Sequence, residues 1–399
     1  MESPEHIFQI LTQVIEIPLH AYARYFERYR NMATQRPIDE LAPPKAIEML
    51  RNEMINEGMG KGSPADQDTN LRARIDARHL KIFERTQGEV SRRWPFEQEI
   101  KRPYYHVTEL DEVQLANWRK YLDFEQAETA NYVRTKFLFE RCLVTCANYV
   151  EFWLRYARWM QLQGMMGNRN EIVCREEVRN IFRRACALFV PISQPEIRLH
   201  YAYYEESLDR RDVATDIHQS VLIHMPSHLD TMRSMVNTYR RSDSLKNSLS
   251  ILQDLIDNVR DHSSLKGALV AEQARLMWVI DGDIEGARKI FEGNQAQVLD
   301  SESFWAGFLN FEISLPTSKK EEHLRYQHVR RVIDGIRSNS GLTPEAIADL
   351  VQTYMGYLQE RGGLEAMREW TELDAEIHAT DQPLKKTQGA RGVDSNGNS

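Results

Sequence analysis

The sequence predicts an all-α fold, an α-solenoid (superhelix) of about eight helix hairpins. Three observations support this class. From about residue 110 onward, apolar residues recur at spacings of three and four, which places them on one face of a helix. An aromatic motif returns roughly every 35 to 45 residues, the signature of a helical repeat. Glycine (19) and proline (14) are also scarce among 399 residues, so long helices are favoured over a turn-rich β fold.

The first clear hairpin is predicted between residues 114 and 146. In residues 114–127, QLANWRKYLDFEQA, the apolar residues Leu115, Trp118 and Leu122 share one helix face. Residues 132–146 collect apolar residues on one side in the same way. Two such helices separated by a short polar turn form a helical hairpin.

The same two-helix pattern then recurs along the chain. The first helices resemble each other in a motif that runs from Trp118 to Glu125 and has counterparts that begin at Trp153, Tyr201 and Trp305. The second helices share a phenylalanine preceded by a basic residue three positions earlier, as in Arg179 and Phe182. Large aromatic side chains at helical spacing are predicted to stack one hairpin on the next. The predicted repeat core is Trp118, Tyr121, Phe124, Trp153, Phe182, Phe291, Trp305 and Phe308.

Three regions are predicted from these repeats. Residues 1–109 form a first repeat unit with a flexible loop at 58–70, rich in glycine and polar residues, and a basic connector. Residues 110–378 form a continuous repeat array. Residues 379–399 carry no apolar periodicity and are predicted to be a disordered tail.

The hairpins resemble the half-a-tetratricopeptide (HAT) repeat, a TPR-like unit, in their aromatic-led first helix ending Phe-Glu and in their Arg-x-x-Phe second helix. Residues 101–125, from Lys101-Arg102-Pro103-Tyr104-Tyr105 to Phe124-Glu125, are similar to the pre-mRNA-processing factor 39 family. That resemblance implies a nuclear protein of the U1 small nuclear ribonucleoprotein, acting at the 5′ splice site. It also implies two HAT arrays in series that dimerise through the C-terminal one, near whose start this chain begins.

No catalytic, cofactor or metal site is predicted, and the chain is not expected to be an enzyme. His224 and His228 have helical metal spacing, but Pro226 between them breaks a helix. No phosphate-binding glycine loop or dinucleotide motif occurs. The formal charge of −8 excludes a globally basic nucleic-acid coat protein. No run of 18 apolar residues is present, so a transmembrane helix is not expected.

Residues 70–106 form a candidate RNA-binding stretch. They carry nine Lys and Arg residues against five acidic residues, and aromatic residues among them suit phosphate contact combined with base stacking. The alternative is a solvated helix followed by an ordinary packed connector. The candidate RNA contacts are Arg92, Arg93, Lys101, Arg102, Tyr104 and Tyr105.

The last hairpin, residues 344–378, is a candidate dimer interface. A terminal repeat normally needs a polar outer face, whereas this one carries apolar residues on more than one side. The alternative is a closing hairpin that packs only inward. The partner is expected to be an identical chain or a paralogue, and the candidate residues are Leu350, Tyr354, Tyr357, Leu358, Leu364, Met367, Trp370 and Leu373.

The sequence therefore predicts a non-catalytic scaffold in pre-mRNA splicing that works through contacts with U1 small nuclear ribonucleoprotein proteins. Two alternatives remain. One is a HAT scaffold of mRNA 3′-end cleavage or ribosomal RNA processing, and the other is a direct RNA-binding module that uses residues 70–106.

Overall fold

The computed structural model describes residues 4–57, 63–128, 131–167, 169–259, 262–316, 318, 320–363 and 365–379. These residues form eighteen α-helices and no β-strand, so the all-α prediction is confirmed. By their internal contacts they divide into two compact units, residues up to Trp159 and residues from Met160. The sequence predicted a division near residue 109 instead, and that domain scheme stays a prediction.

The first unit is built from six helices and the start of a seventh. One hydrophobic core of this unit lies among the first four helices and is filled by aromatic and aliphatic side chains such as Phe8, Tyr29 and Ile75. The helices are α1 (Pro4–Val14), α2 (Tyr22–Ala33), α3 (Pro44–Asn56), α4 (Pro64–Glu99), α5 (Glu112–Glu128), α6 (Tyr132–Thr145) and α7 (Val150–Met165), the last of which crosses into the second unit.

Helix α4 is 36 residues long and begins earlier than the sequence suggested. Ser63 caps it: the Ser63 hydroxyl accepts a hydrogen bond from the backbone N–H of Asp66, whose carboxylate accepts one from the Ser63 N–H in return. Pro64 suits the first helical position because its fixed φ is helical and no N–H is needed there. The predicted loop at 58–70 is therefore wrong from Pro64 onward, and residues 58–62 lie outside the described residues.

The second unit consists of consecutive helix pairs, and one continuous hydrophobic core runs from α11 to α18. Most helices of this unit pack on their chain neighbour, and α13 also packs on α15, as expected for stacked hairpins. Its helices are α8 (Glu171–Arg184), α9 (Glu196–Ser207), α10 (Arg211–His224), α11 (Leu229–Ser242), α12 (Leu245–Asn258), α13 (Ser263–Leu276), α14 (Ile284–Asn294), α15 (Glu302–Ser314), α16 (Glu322–Asn339), α17 (Pro344–Arg361) and α18 (Ala366–Ala379).

Two features complete the description. The predicted tail begins at Ala379, the last residue of α18, and from residue 380 on it lies outside the described residues. Among the described residues, no helix combines the length and the apolar character needed to cross a bilayer.

Candidate functional site

A ring stack between successive hairpins occurs four times among the described residues. Phe182 of α8 stacks on Tyr201 of α9 with ring centroids 5.3 Å apart and planes 13° apart. Phe291 of α14 stacks on Phe308 of α15 in the same way, at 4.7 Å and 5°. Near-parallel aromatic pairs at these distances add to the stabilisation from burial. The two other copies are Phe96 on Tyr121 and Phe139 on Tyr156.

A buried ion pair accompanies three of these four stacks. Arg179 precedes Phe182 by three residues, and Glu205 follows Tyr201 by four. Nε of Arg179 lies 2.7 Å from Oε1 of Glu205, and the Glu205 side chain is fully buried. A planar guanidinium suits a carboxylate because it can donate two parallel hydrogen bonds. The equivalent pairs are Arg93–Glu125, at 3.1 and 2.9 Å, and Arg288–Glu312, at 2.7 and 3.1 Å.

Arg93 requires a correction to the predicted RNA-binding set. Its side chain is buried between α4 and α5, where it donates to Glu125 and also to Glu89 at 2.7 Å. It therefore cannot reach a phosphate without breaking both ion pairs. The sequence did contain the signal, because Arg93 precedes Phe96 by the same three residues that separate Arg179 from Phe182.

The other candidate RNA contacts lie at the end of α4 and in the extended segment that follows it. Arg92, Lys101, Tyr104 and Tyr105 are exposed, the two tyrosines by 59% and 50%. Arg102 is half-buried and holds the connector in shape, since it donates to Oγ1 and to the carbonyl oxygen of Thr108 at 3.1 and 3.0 Å. Four of the six predicted residues thus face solvent.

The candidate dimer interface is placed differently from the prediction. Five of the predicted interface residues, four on α17 and one on α18, pack into the core of their own chain. The buried residues are Leu350, Tyr354, Tyr357, Leu358 and Leu373. For these five residues the interface assignment is wrong, because they already belong to the hydrophobic core of their own chain, where α17 packs on α15, α16 and α18. Met367 is 49% exposed and Trp370 is half-buried, whereas Leu364 lies outside the described residues.

Helix α18 is fastened by a carboxylate shared between two tyrosines. The hydroxyl of Tyr354 donates to Oε1 of Glu369 at 3.0 Å, and the hydroxyl of Tyr326 donates to the other carboxylate oxygen. Burial and the negative charge of Glu369 raise the pKa of Tyr354, so this tyrosine stays protonated and keeps donating. The sequence contained no local signal for this contact, because its members come from three helices.

The predicted repeat core lies where hairpins meet. All of its residues except Phe124 are buried, and half-buried Phe124 lies under the guanidinium of Arg93, 5.6 Å from the ring centroid. Trp153 and Trp305 share a further feature, since each indole N–H donates to the carbonyl six residues earlier, at 2.7 and 3.0 Å. Across the described ranges, no cluster of three or more His, Cys, Asp or Glu side chains could hold a metal ion.

The chain is an α-helical repeat protein. This class follows from its consecutive helix pairs and from the ring stacks and ion pairs that recur between them. Residues 91–241 match the family model described as the PRP39 C-terminal HAT repeat. The chain is 40% identical over 371 residues to pre-mRNA-processing factor 39 of Schizosaccharomyces pombe, an alignment that covers 90% of this chain and 59% of that protein. The chain belongs to the PRP39 family, and the resemblance in sequence is confirmed.

Two further relatives and one solved structure complete the comparison. Pre-mRNA-processing factor 39 of Homo sapiens is 28% identical over 336 residues, 79% of this chain and 48% of that protein. The U1 small nuclear ribonucleoprotein component PRP42 of Saccharomyces cerevisiae is 23% identical over 187 residues, 43% of this chain and 32% of that protein. The superposition on a solved structure of a monomeric IFIT1 mutant with Gppp-AAAA covers 94% of this chain and 82% of that chain. The sequence identity is 15% and the TM-score is 0.30, so this structural similarity is weak.

The chain thus spans about half to three fifths of the length of the two pre-mRNA-processing factor 39 relatives. The family consists of non-catalytic HAT-repeat proteins, so the prediction that the chain is not an enzyme is confirmed by its relatives.

Proposed function

We propose that the chain is a nuclear scaffold in pre-mRNA splicing, which acts with the U1 small nuclear ribonucleoprotein in recognition of the 5′ splice site. The observation that carries this proposal is the 40% identity to a pre-mRNA-processing factor over 90% of the chain. A relative named as a U1 component supports the choice of particle. The match to the PRP39 repeat favours this role over a scaffold of 3′-end cleavage or ribosomal RNA processing.

The geometry supports a scaffold because the contacts between hairpins leave other surfaces open. Ring stacks and buried ion pairs occupy the faces between consecutive hairpins. Large apolar side chains such as Phe137, Met165 and Ile172 remain more than 60% exposed. Rigid repeat arrays of this kind offer extended surfaces for partner proteins.

The test is a pull-down of the tagged chain from nuclear extract, with and without ribonuclease, followed by mass spectrometry and RNA sequencing. The expected result is enrichment of U1 RNA together with its proteins, the proteins persisting after ribonuclease treatment. Recovery of cleavage or ribosome-assembly factors in their place would contradict the splicing role while leaving the repeat fold intact.

Dimerisation through the C-terminal repeats forms part of this proposal. Among the described members of the predicted set, Met367 and Trp370 of α18 keep accessible surface. Sedimentation velocity at micromolar concentration should give a dimer for the parent chain and a monomer for Met367→Glu. Met49→Glu, at a 58% exposed position on α3, is the matched control and should leave the dimer unchanged. A monomeric parent would refute self-association.

A second candidate function is direct RNA binding through Arg92, Lys101, Tyr104 and Tyr105. It is favoured by the exposure of both tyrosines beside two exposed cations, because stacking and phosphate contact together bind single strands. Reversal of charge at Arg92 and Lys101 to Glu should weaken binding of a fluorescent single-stranded RNA by at least about tenfold, whereas reversal at exposed Lys246 and Lys289 should not. Equal affinities for the two double variants would exclude this function.

A further inference from the structure

An open groove lies within the first unit, between the turn that follows α1 and helices α4 and α6. Its volume is about 550 Å³, within the range of roughly 300–1,000 Å³ that is typical of binding pockets. Most of its walls are apolar, and the side chains that form them are Ile17, Leu19, Val90, Trp94, Phe137 and Leu138. We call this the α4–α6 groove.

Large apolar side chains of the groove remain exposed to solvent. Phe137 is 63% exposed, Ile17 47%, Trp94 46% and Leu19 37%. A single exposed apolar residue needs no explanation, but several around one concave surface indicate an interaction site. The Trp94 indole is also held in place, because the ring of His20 stacks on it with centroids 5.9 Å apart and planes 18° apart.

The polar groups of the groove are already satisfied by one another. Arg141 donates two hydrogen bonds to Glu97, at 2.7 and 2.9 Å, and the Tyr121 hydroxyl donates a third at 2.8 Å. Burial alone would raise the pKa of Glu97, but the bonds from Arg141 and Tyr121 outweigh it and hold the pKa below its usual range. Paired in this way, these charges fix the walls, and the groove offers an occupant mainly apolar surface.

Positive charge is concentrated at one end. A second depression shares Arg134 with the groove and is also lined by Arg85, Arg92, Glu16 and Glu89. Glu89 is engaged by Arg134 at 2.9 Å and by Arg93 at 2.7 Å. Among the described residues, neither Arg85 nor Arg92 forms an ion pair, and Glu16 is the one other carboxylate in that depression.

We propose that the α4–α6 groove is the docking site for a short segment of a partner protein, in which two or three large apolar side chains stand next to acidic residues. The apolar side chains fill the space beside Trp94 and Phe137, and the acidic residues meet Arg85 and Arg92. This complementarity of charge defines the occupant. The inference rests on the proposed scaffold role and names the chemistry of one of its partners.

A protein segment fits this surface better than a nucleic acid does. The aliphatic walls at Ile17, Leu19 and Val90 carry no donors or acceptors that could read base edges. The free cations lie at one end only, whereas a single strand needs phosphate contacts along its whole length. Apolar anchors in a groove with charges at its rim are typical of peptide recognition by helical proteins.

The experiment selects ligands from a phage-displayed library of random 12-residue peptides on the full chain and measures the enriched peptides by fluorescence anisotropy. The expected sequences combine large apolar residues with adjacent Asp or Glu. Phe137→Asp and the double variant Arg85→Glu, Arg92→Glu should each weaken binding at least tenfold. Val133→Asp is the matched control, because Val133 is 67% exposed on the same helix and does not line the groove. Arg78→Glu, at an exposed position of α4 outside the groove, is the control for charge.

Each outcome decides the proposal. Enriched peptides that bind the Phe137→Asp variant as tightly as the parent, or no enrichment at all, would overturn it, provided that circular dichroism shows both proteins folded. A fluorescent 12-nucleotide uridine strand that binds and loses affinity in the same variants would assign the surface to RNA instead. The pull-down from nuclear extract tests the association with U1, and the peptide measurements test the groove. Failure of the proposed function and failure of the groove proposal are therefore distinguishable.

Discussion

Arg179 and Glu205 form a buried ion pair that joins α8 to α9, with Nε and Oε1 2.7 Å apart. The same relationship links α4 to α5 and α14 to α15. Each pair lies beside the ring stack of its own hairpin junction, so a polar clamp and an apolar contact act at one place. The carboxylate is almost completely buried in all three, and its removal would leave the arginine only a more exposed second carboxylate, Glu89, Glu176 or Glu285.

Glu205→Ala should therefore lower the free energy of unfolding by about 3–5 kcal/mol, because it leaves the Arg179 guanidinium buried and short of a partner. Glu176→Ala is the matched control, since Glu176 contacts the same arginine from a 57% exposed position. An exposed ion pair contributes about 0–1 kcal/mol. Urea unfolding followed by circular dichroism measures both. Similar losses for the two variants would contradict the importance assigned to the buried pair.

Gly267 is required by close packing between α13 and α15. A Cβ at this position would lie 2.3 Å from Cβ and Oγ of Ser301, and Ser301 is fully buried with its hydroxyl bonded to the Ser264 carbonyl. Gly267→Ala should destabilise the protein by about 1–3 kcal/mol, as overpacked cores do.

Gly293→Ala is the control for Gly267, because its Cβ would meet nothing within 4 Å in α14. It should be neutral or stabilise by up to about 1 kcal/mol through helix propensity. Urea midpoints of the two alanine variants give the comparison. An unchanged midpoint for Gly267→Ala would show that the helices can separate without loss.

Trp305→Ala should be among the most damaging single changes in the second unit. The indole is fully buried and its N–H donates to the Leu299 carbonyl at 3.0 Å. Loss of a buried large aromatic side chain costs about 3–5 kcal/mol. Trp94→Ala is the comparison variant and should destabilise the protein less, because Trp94 is 46% exposed. A thermal midpoint for Trp305→Ala within error of the parent would refute its core role.

His218 should make the second unit less stable in mild acid. It is fully buried, its Nε2 lies 2.9 Å from the Ser234 hydroxyl, and burial is the main reason that its pKa falls from 6.5 to about 4. Glu206 acts in the opposite direction and Arg241 adds to the lowering. Between these two pKa values the unfolded chain binds a proton that the folded chain does not, so stability is complete above about pH 6.5 and declines as the pH falls towards 4.

Because one pKa unit corresponds to about 1.4 kcal/mol, the full effect of His218 is about 3 kcal/mol. It is measured as the free energy of unfolding in urea between pH 7.5 and 4. His218→Gln should flatten that dependence, whereas His224→Gln, an exposed position on the same helix, should preserve it. Parallel pH profiles for the parent and His218→Gln would exclude this histidine as the cause.

Local patterns were sufficient for the helices and for much of the core. Trp118, Trp153 and Trp305 could be assigned to hairpin contacts from spacing alone, because periodicity of three and four residues is a property of one helix face. The sequence did not predict the beginning of α4. The glycine-rich residues before Ser63 indicated a loop, although Ser63 and Asp66 form a capping box that starts the helix. The burial of Tyr354 and Leu358 was missed because it depends on which helices lie beside α17.

The sequence by itself determined the fold class, the order of the hairpins and the family, since these follow from local periodicity and from motifs read along one chain. Only the tertiary structure decided which charges are free. Arg92 and Arg93 are neighbours in sequence, yet one faces solvent and the other is clamped by Glu125. The partners of that ion pair lie 32 residues apart in sequence. They meet because α4 packs on α5, and sequence periodicity within one helix does not reveal which helix packs against it.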